Sequence, residues 1–318
     1  MTARIHAAAL IMSIQDSGRP GYRRYGLPPS GPMDAWAFRC ANRLVGNIED
    51  CACLEMGFTS SLLQVECDIL LAVCGAGYRL MVNDRPMPLW MAVLVKKGDW
   101  LSFEKCEGGN WAYLAVAGGF ETPVWLGSRS IYPRAGLGRL LCDGDQLALL
   151  PIETEARLLS GRTIPSDVRP PYSTYPVIRV LPGPQLNWFD LASQQLFWEE
   201  AYRVSSQSDR MGYRLQGPAL SHVDSADIVS QGMVCGEIQV PADGQPIVMM
   251  PDHPTTGGYA SIGTAAKADL PLLAQAEFDK SEIRFKFITI SEAQLALGDM
   301  EQKIGFPFPS KEDEWLFQ

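Results

Sequence analysis

Residues 68–95, DILLAVCGAGYRLMVNDRPMPLWMAVLV, hold two apolar runs with a turn inside the second. Both runs, 68–77 and 79–95, are rich in valine and leucine, which is typical of buried strands. The Asn-Asp-Arg-Pro sequence at 83–86 combines residues that favour a tight turn. This stretch therefore predicts neighbouring strands of a β-rich domain.

The flanking segments extend the strand pattern and add one helix. Residues 111–118 form a further apolar run, and a turn at 97–99 leads into a short one at 100–103. Residues 34–45, DAWAFRCANRLV, instead place their apolar side chains on one helical face, and the Gly-Asn pair that follows is a common end to a helix. The first half of the chain thus predicts several strands and one helix.

A proline-rich segment divides the sequence. Residues 151–176 carry five prolines and few apolar side chains, which is typical of a domain boundary. We therefore assign 1–165 to an N-terminal domain and 166–318 to a C-terminal domain. Beyond the boundary we expect a strand at 177–181, a helix at 187–200, strands and turns to about residue 265, and a strand at 283–290. Residues 291–297 then begin a final helix with Ser291 as its N-cap.

A weak internal repeat also suggests two related β-rich domains. QDSGRPGYR at 15–23 resembles QSDRMGYR at 207–214, and a second pair of segments follows each of them. The length of 318 residues agrees with two domains. The 29 glycines and 23 prolines favour many turns and short strands over long helices.

Charge and apolar content narrow the function classes. The net charge of −9 is opposite to that of a general nucleic-acid or anionic-membrane binder. The longest apolar stretch, 68–78, is shorter than the ~20 residues that span a bilayer, and the N-terminus resembles a first strand more than a signal peptide. Eight cysteines without a C-x-x-C pair are typical of buried free thiols, so we expect a cytoplasmic protein.

Familiar catalytic motifs are missing from the sequence. It has no G-x-x-x-x-G-K-[ST] phosphate loop, no G-x-G-x-x-G, no G-x-S-x-G elbow and no H-E-x-x-H. Only three histidines are present, at 6, 222 and 253, so we expect no metal centre. Any proton transfer falls to Asp, Glu, Lys, Tyr or His253.

Three polar, glycine-rich clusters are candidate sites. Gln15–Asp34 contains arginines and backbone N–H groups that are able to bind a carboxylate or phosphate. Gln207–Gly217 places an acidic residue beside Arg210. Asp243–Gly258 ends an apolar strand with an aspartate, His253 and two threonines, groups suited to general acid–base work. For each cluster the alternative is a solvated loop or a capped turn without a functional role.

At these clusters the chain resembles a known family, variously called allophanate hydrolase subunit 2, KipA-like, or biotin-dependent carboxyltransferase of the A/B type. The resemblance runs from about residue 10 to 295. It rests on many short motifs in the same order: QDSGRPGYRRYGLPPSGPMD (15–34), ANRLVGN (41–47), LEMG (54–57), AYLAVAGGF (112–120), LGSRS (126–130), RAGLGR (134–139), RVLPGPQ (179–185), SSQSDRMGYRLQGPAL (205–220), QVPADGQPIVMMPDHPTTGGY (239–259) and ADLPLLAQ (268–275).

The resemblance implies a fold and a function. Family members are similar to two cyclophilin-like β-barrel domains in tandem, so we expect a mainly-β fold of that kind. In bacteria the family includes the C-type component of 5-oxoprolinase, which with the A-type and B-type components converts 5-oxoproline to glutamate and hydrolyses ATP. The resemblance therefore implies an enzyme subunit that opens a cyclic amide, acts with a 5-oxoprolinase B-type (KipI-like) partner and possibly the A-type component, and uses ATP together with those partners.

Two other functions stay open. One is a biotin-dependent carboxyltransferase component for urea or a similar amide. Because the sequence has no A-M-K-M attachment motif, biotin would have to arrive on another chain. The other is a KipA-like protein without catalysis that antagonises a kinase inhibitor. For every role we expect the chain alone to show little or no ATPase activity.

Within the matching motifs we assign candidate roles by residue chemistry. Carboxylates suit acid–base duty, whereas arginines and neutral polar groups suit an anionic cyclic amide. We expect Arg210 and the turn at 252–259 to face one cleft with the loop at 15–34, and Arg210→Ala to change stability by no more than about 1–2 kcal/mol. The catalytic candidates are Asp16, Asp209 and Asp252, and the substrate-binding candidates are Arg19, Arg23, Arg210, Arg214, Gln245, Thr255, Thr256 and Tyr259.

Overall fold

Strands dominate the structure of this chain. The computed structural model describes residues 1–151, 154–305 and 307–308. Strands account for 35% of the residues and helices for 18%. The predicted mainly-β tandem fold is confirmed. Among the described residues, no helix combines the length and the apolar character needed to cross a membrane.

The first domain is built from two antiparallel sheets and a helix, α1 (Ala35–Leu44). The six-stranded sheet has the order β11-β1-β4-β9-β6-β7, and the five-stranded sheet has the order β2-β3-β10-β5-β8. Their strands are β1 (Thr2–Ala7), β2 (Ile11–Gln15), β3 (Cys53–Gly57), β4 (Ser61–Val65), β5 (Ile69–Gly75), β6 (Tyr78–Val82), β7 (Arg85–Met87), β8 (Ala92–Val95), β9 (Trp100–Lys105), β10 (Trp111–Val116) and β11 (Gln146–Ala148).

The apolar runs in the sequence correspond to strands that are buried on both faces. Every residue of β5 and β10 is buried. One face of the five-stranded sheet packs against the six-stranded sheet, and its other face lies under α1. In contrast, β4 alternates between buried and half-buried residues, because only one of its faces meets the core. The predicted run at 79–95 divides into β6, β7 and β8 around its turn.

Helix α1 follows the local signals in its sequence. The Asp34 carboxylate accepts a hydrogen bond from Ala37 N at 2.9 Å, which caps the N-terminus. The helix ends before Gly46, whose φ of +80° is costly for other residues. The helix predicted at 34–45 is therefore confirmed to within one residue at each end.

The second domain is a closed barrel with the order β12-β19-β16-β17-β14-β13-β20. Beside it, β15 and β18 form a two-stranded ribbon. The helices are α2 (Leu191–Glu199), α3 (Leu270–Ala274) and α4 (Ile290–Ile304). The strands are β12 (Val177–Pro182), β13 (Ala201–Val204), β14 (Gly212–Gln216), β15 (Asp227–Gly232), β16 (Glu237–Gln239), β17 (Ile247–Met249), β18 (Thr256–Tyr259), β19 (Ser261–Ala265) and β20 (Glu282–Phe287).

Two predicted helix starts are wrong by a few residues. Helix α2 begins later than residue 187, because Asp190 caps it through Ser193 N at 2.7 Å. Helix α4 is capped by Thr289 instead of Ser291, since Thr289 and Glu292 form a reciprocal capping box. It continues to Ile304.

The chain passes from one domain to the other between residues 163 and 174. Thr163 still pairs with Met91 of the first domain, whereas the Thr174 carbonyl accepts from Glu282 N of the second. The division assigned after residue 165 falls in this interval and stays a prediction. Residues 152–153, 306 and 309–318, which the assigned domains include, lie outside the described residues.

The two domains share one hydrophobic core. Buried side chains from α1, the outer face of the five-stranded sheet and the barrel form a continuous cluster. Trp111 Nε1 of the first domain donates to Tyr213 Oη of the second at 3.1 Å, and the rings of Phe58 and Phe278 lie 5.0 Å apart. This packing fixes the loops at the boundary relative to one another.

Candidate active site between the domains

A cavity of about 520 Å³ lies at the domain boundary. The loop after β2 and helix α1 form one side of it, and the turn after β17 with helices α3 and α4 forms the other. Clefts between domains are common sites for small molecules. The lining residues with a polar or reactive side chain are Ser17, Ser30, Arg39, Glu49, Asp50, Cys235, His253, Lys267 and Glu301.

Arg210 holds the loops around this cavity together. Its Nη1 forms an ion pair with Glu55, its Nη2 donates to the Gly31 carbonyl at 2.6 Å, and its Nε donates to Asp252 at 2.8 Å. Glu55 is fully buried, and the other two side chains of the ion pairs are largely buried. Burial alone lowers the pKa of Arg210, but the two carboxylates outweigh it and hold that pKa above its usual value.

The Glu55 carboxylate continues this network into the first domain. It accepts from Met33 N at 2.9 Å and from Tyr113 Oη at 2.8 Å. Tyr113 Oη in turn accepts from Asp34 N at 2.7 Å, and the Asp34 carboxylate accepts from Gln275 Nε2 at 2.9 Å. This series of hydrogen bonds therefore starts at Arg210 in the second domain, crosses the first domain and returns to the second domain at Gln275.

All three nitrogen positions of Arg210 are thus engaged within the protein, and Arg210 is not among the residues that line the cavity. No contact among the described residues supports the substrate-binding role predicted for Arg210, which stays a prediction, and the contacts that it makes are structural. The three clusters do meet, because Arg210 of the second cluster joins the carbonyl of Gly31, in the first, to Asp252, in the third. The loop at 15–34 and the turn after β17 both line the cavity, whereas Arg210 lies behind its wall.

The predicted catalytic aspartates are also engaged. Asp16 accepts from Ser128 Oγ at 2.5 Å, Ser130 Oγ at 2.7 Å and Arg129 N at 2.5 Å, so it anchors the turn at 128–130. Asp252 uses both oxygens on Arg210. Asp209 is about half exposed, lies 3.4 Å from Arg134 and accepts from the backbone N–H of Met211. Within the described part of the chain, no contact of these carboxylates supports a catalytic role.

Arg19 is buried beneath the first loop instead of facing the cavity. It donates to the Ser130 carbonyl and, at 3.2 Å, to Ser30 Oγ. Its Nε has no hydrogen-bond partner among the described residues. Burial lowers the pKa of Arg19, while Asp16 and Asp252 oppose that shift.

The other predicted substrate-binding residues do not line the cavity. Arg214 is exposed on β14, and Gln245 bonds to both backbone groups of Gly217. Thr256 and Tyr259 belong to the ribbon strand β18, and Thr255 precedes it. Their role in binding stays a prediction without a supporting contact. Arg23 is half-buried, and its charge acts on His253.

His253 is a neutral nitrogen acceptor in the cavity wall. Only 1% of its surface is exposed, and its Nδ1 lies 2.6 Å from the Pro254 carbonyl. Because a carbonyl oxygen can only accept, Nδ1 must carry the proton. Burial lowers the pKa of His253, and the charge of Arg23 lowers it further. The imidazole is therefore neutral at pH 7, with an acceptor lone pair on Nε2.

The two cations of the cavity wall, Arg39 and Lys267, differ in their ion pairs. Arg39 is held by two glutamates, because it donates to Glu49 at 2.7 Å and to both oxygens of Glu301 at 2.9 and 2.7 Å. Lys267 forms no ion pair with the described residues. Its charge acts to lower the pKa of Glu301 and that of Cys235. Burial raises the pKa of the Cys235 thiol to about 12, so this cysteine is a protonated wall residue and not a nucleophile.

This wall does not fit an ATP triphosphate. The cations Arg39 and Lys267 face the acidic Glu49, Asp50 and Glu301, so the described wall has no excess positive charge. Three further negative charges or more would be repelled in a half-enclosed site. A ligand with a single negative charge is instead compatible with Lys267.

The sequence patterns do not reveal Lys267 and Arg39, which line the cavity. Neither belongs to a polar cluster in the sequence: Arg39 lies in the middle of α1, and Lys267 stands beside the apolar segment 268–275. The position of Lys267 next to a family motif is the only signal in its favour. His253 is recognised from the sequence as a proton-transfer group, but it is not among the site residues predicted above.

Comparisons with known proteins agree with this fold. The chain matches the family model for the carboxyltransferase domain, subdomain A and B, over residues 25–287. It is 36% identical to the C-type component of 5-oxoprolinase from Escherichia coli (strain K12) over 310 residues, which are 94% of this chain and 95% of that protein.

Two solved structures show the same architecture. The K. lactis urea amidolyase matches with a TM-score of 0.89 at 29% identity, over 95% of this chain and 20% of that chain. The protein TTHA0988 matches with a TM-score of 0.81 at 33% identity, over 90% of this chain and 55% of that chain. The chain thus spans a fifth of the first protein and about half of the second. From the extent of these matches, the chain belongs to the carboxyltransferase domain family, subdomain A and B.

Proposed function

We propose that this chain is a subunit of an ATP-dependent 5-oxoprolinase, which opens the ring of 5-oxoproline to give glutamate. The observation that carries the proposal is the end-to-end match with the C-type component of the E. coli 5-oxoprolinase, which covers 94% of this chain and 95% of that protein. The urea amidolyase of K. lactis contains a similar unit as only a fifth of a longer chain.

The chemistry of the cavity is consistent with this substrate. 5-Oxoproline is a small ring with one carboxylate, one amide N–H and one amide carbonyl. The cavity of about 520 Å³ has room for such a ring, and its wall offers a cation at Lys267 and a neutral acceptor at His253. Among the described residues, nothing in this wall matches the charge of a triphosphate.

We therefore place ATP on the partner proteins. The chain would act with a 5-oxoprolinase B-type (KipI-like) partner, and with the A-type component, in the cytoplasm, where the free thiols of this chain persist. ATP supplies the energy that drives ring opening. The role of this chain is to bind and orient the cyclic amide and to exclude water from it until the partners engage.

The proposal is tested by reconstitution. The purified chain is mixed with homologues of the A-type and B-type components, and glutamate release from 5-oxoproline is measured with and without ATP. We expect glutamate release only when the three proteins and ATP are all present. Mixtures that lack one protein are the controls. Release that is unchanged when this chain is omitted would show that it is not part of the enzyme.

A second candidate is a biotin-dependent carboxyltransferase component for urea or a similar amide. The family model and the TM-score of 0.89 to the K. lactis urea amidolyase favour it. Biotin would then reach this chain on another polypeptide. The neutral ureido ring of biotin does not conflict with the cavity wall as a triphosphate does. Carboxylation of urea by this chain, a carboxylated biotin carrier and no ATP would support it over the first proposal.

A further inference from the structure

We infer that the interdomain cavity of this chain is itself the binding site for a small ring that carries an amide N–H and a carboxylate. His253 Nε2 accepts the hydrogen bond of the amide N–H, and Lys267 binds the carboxylate. This inference rests on the proposed function and deepens it, since it names the two side chains of this chain that bind the cyclic amide and the ring chemistry that they select.

The first argument is the fixed tautomer of His253. Its Nδ1 proton is committed to the Pro254 carbonyl at 2.6 Å. Nε2 has no hydrogen-bond partner among the described residues, although the side chain lines the cavity. A lone pair at the cavity wall without a protein partner favours a ligand that donates. An amide N–H is such a donor, whereas a carbonyl oxygen or an ester oxygen is not.

The surroundings of His253 keep the imidazole neutral. The charged groups that act on it are Arg23 from the first loop, Glu237 from β16 and the adjacent Asp252. Asp252 is committed to Arg210 through both oxygens, so it does not form an ion pair with the imidazole. Burial and Arg23 lower the pKa of His253. The acceptor form therefore persists at neutral pH.

The second argument is the asymmetry between the two cations of the wall. Arg39 is held by two glutamates, which offset its positive charge and fix its guanidinium. Lys267 is exposed, lines the same cavity and forms no ion pair with the described residues. A monoanion is therefore directed to Lys267 and not to Arg39.

The third argument is the apolar part of the wall. Apart from its polar groups, the cavity is lined by Pro29, Pro32, Phe38, Met250 and Met300, among others. These side chains suit the methylene groups of a small saturated ring. They also lower the local dielectric, which strengthens the hydrogen bond to His253 and the attraction to Lys267.

Such a site discriminates between ring types. The lactone analogue has a ring ester oxygen in place of the amide N–H, so Nε2 of His253 would face a second acceptor. Binding is weaker because a hydrogen bond is lost and two lone pairs repel each other. We expect the lactone analogue 5-oxotetrahydrofuran-2-carboxylate to bind at least about tenfold more weakly than 5-oxoproline. Pyrrolidin-2-one, which lacks the carboxylate, should bind weakly and without help from Lys267.

The test is direct binding to the full chain, measured by calorimetry with these three compounds at pH 7.5. In His253→Leu the preference for 5-oxoproline over the lactone should disappear. His253→Gln, which keeps an acceptor oxygen and is less disruptive, should keep part of it. Absence of 5-oxoproline binding to the wild-type chain, or a preference that both variants retain in full, would overturn the inference.

Lys267 is tested with a matched control. Lys267→Met should weaken the binding of 5-oxoproline about tenfold or more and leave pyrrolidin-2-one unchanged. Lys280→Met is the control, because Lys280 is exposed, pairs with Glu107 and lies outside the cavity wall. Equal losses in the two lysine variants, or no loss in either, would contradict the assignment of Lys267.

The same variants separate this inference from the proposed function. If the reconstituted enzyme releases glutamate and the His253 and Lys267 variants keep the wild-type KM, the function stands and the inferred site is wrong. If 5-oxoproline binds the chain as described but no combination of the three proteins releases glutamate, the site stands and the proposed enzyme is wrong.

Discussion

Arg210 of the second domain forms an ion pair with Glu55 of the first, although 155 positions of sequence separate them. The Glu55 side chain is fully buried from solvent. The same guanidinium also holds Asp252 and the carbonyl of Gly31. Since His253 follows Asp252 and the loop that contains Gly31 lines the cavity, this one side chain fixes two walls of the candidate site.

Arg210→Ala should therefore destabilise the chain strongly. The substitution leaves Glu55 and Asp252 as unpaired buried carboxylates, a loss of about 3–5 kcal/mol in the free energy of unfolding. This exceeds the loss of about 1–2 kcal/mol expected from the sequence. Urea unfolding followed by tryptophan fluorescence measures it. Arg214→Ala, on an exposed strand position of the same segment, is the control and should change stability by less than about 0.5 kcal/mol. Similar losses in both variants would refute the structural role of Arg210.

Asp34→Ala is predicted to lower the free energy of unfolding by more than the loss of a helix cap alone does. Asp34 caps α1 through Ala37 N and also accepts from Tyr172 Oη at 2.5 Å and from Gln275 Nε2 at 2.9 Å. Burial raises the pKa of Asp34, so its removal relieves part of a desolvation cost. The two donors left without an acceptor outweigh that relief at about 1–3 kcal/mol each. We expect a total loss of about 3 kcal/mol.

The matched control is Asp190→Ala, because Asp190 caps α2 in the same way but at an exposed helix end. Its loss should be that of a cap, about 1 kcal/mol. Both variants are compared by urea unfolding at pH 7. Equal losses would mean that the Asp34 bonds to Tyr172 and Gln275 contribute nothing measurable.

The local parts of the fold are predictable from the sequence. The apolar run that contains β5 indicates a buried strand because both of its faces are covered. Helix α1 is recognisable because its apolar face and its terminating glycine are encoded within twelve residues. In α4 the same reasoning misplaces the N-cap, since Thr289, two positions before Ser291, is also a residue type that caps helices.

The site is less predictable, because its contacts depend on how the domains pack. The sequence indicates that the Gly31 loop and the Asp252 turn belong to one site, but it does not show that Glu55 saturates Arg210 between them. The environment that makes Arg210 structural is assembled from three distant segments. Lys267 has no local signal, because its suitability for a ligand depends on which side chains surround it in the folded chain.

Thiol chemistry should distinguish the exposed cysteine from the buried ones. Burial raises the pKa of Cys40 and Cys235 to about 12, so their thiolate populations at pH 8 are very small. Cys142 is exposed. Treatment of the native chain with iodoacetamide at pH 8, followed by peptide mass spectrometry, should label Cys142 first. Cys40, which is buried, should be labelled only after unfolding, and Cys235, which is partly buried in the cavity wall, should be labelled much more slowly than Cys142. Rapid labelling of Cys235 in the native chain would show that the cavity holds a reactive thiol.

The isolated chain should hydrolyse ATP no faster than a blank. The described cavity wall has no excess positive charge, and the sequence has no recognised phosphate loop. Phosphate release is measured for the chain alone, with 5-oxoproline, and with each partner homologue in turn. ATP turnover by the chain alone that survives a second purification step would place a nucleotide site on this chain and contradict the placement on the partners.

Acid should weaken the fold in part through His253. Its pKa in the folded chain lies below the ordinary value of 6.5, because burial and Arg23 disfavour the imidazolium. Between pH 6.5 and that lowered pKa, the unfolded chain binds a proton at this position and the folded chain does not. The free energy of unfolding therefore falls as the pH drops through this window, and below the folded pKa this contribution stops changing.

His253→Gln has no such proton, so its stability should fall less steeply from about pH 6.5 downward than that of the wild type. Urea unfolding of both proteins at intervals of about half a pH unit, from about pH 7.5 to 5, measures the two slopes. Identical slopes would show that His253 is not neutral and buried in the folded chain.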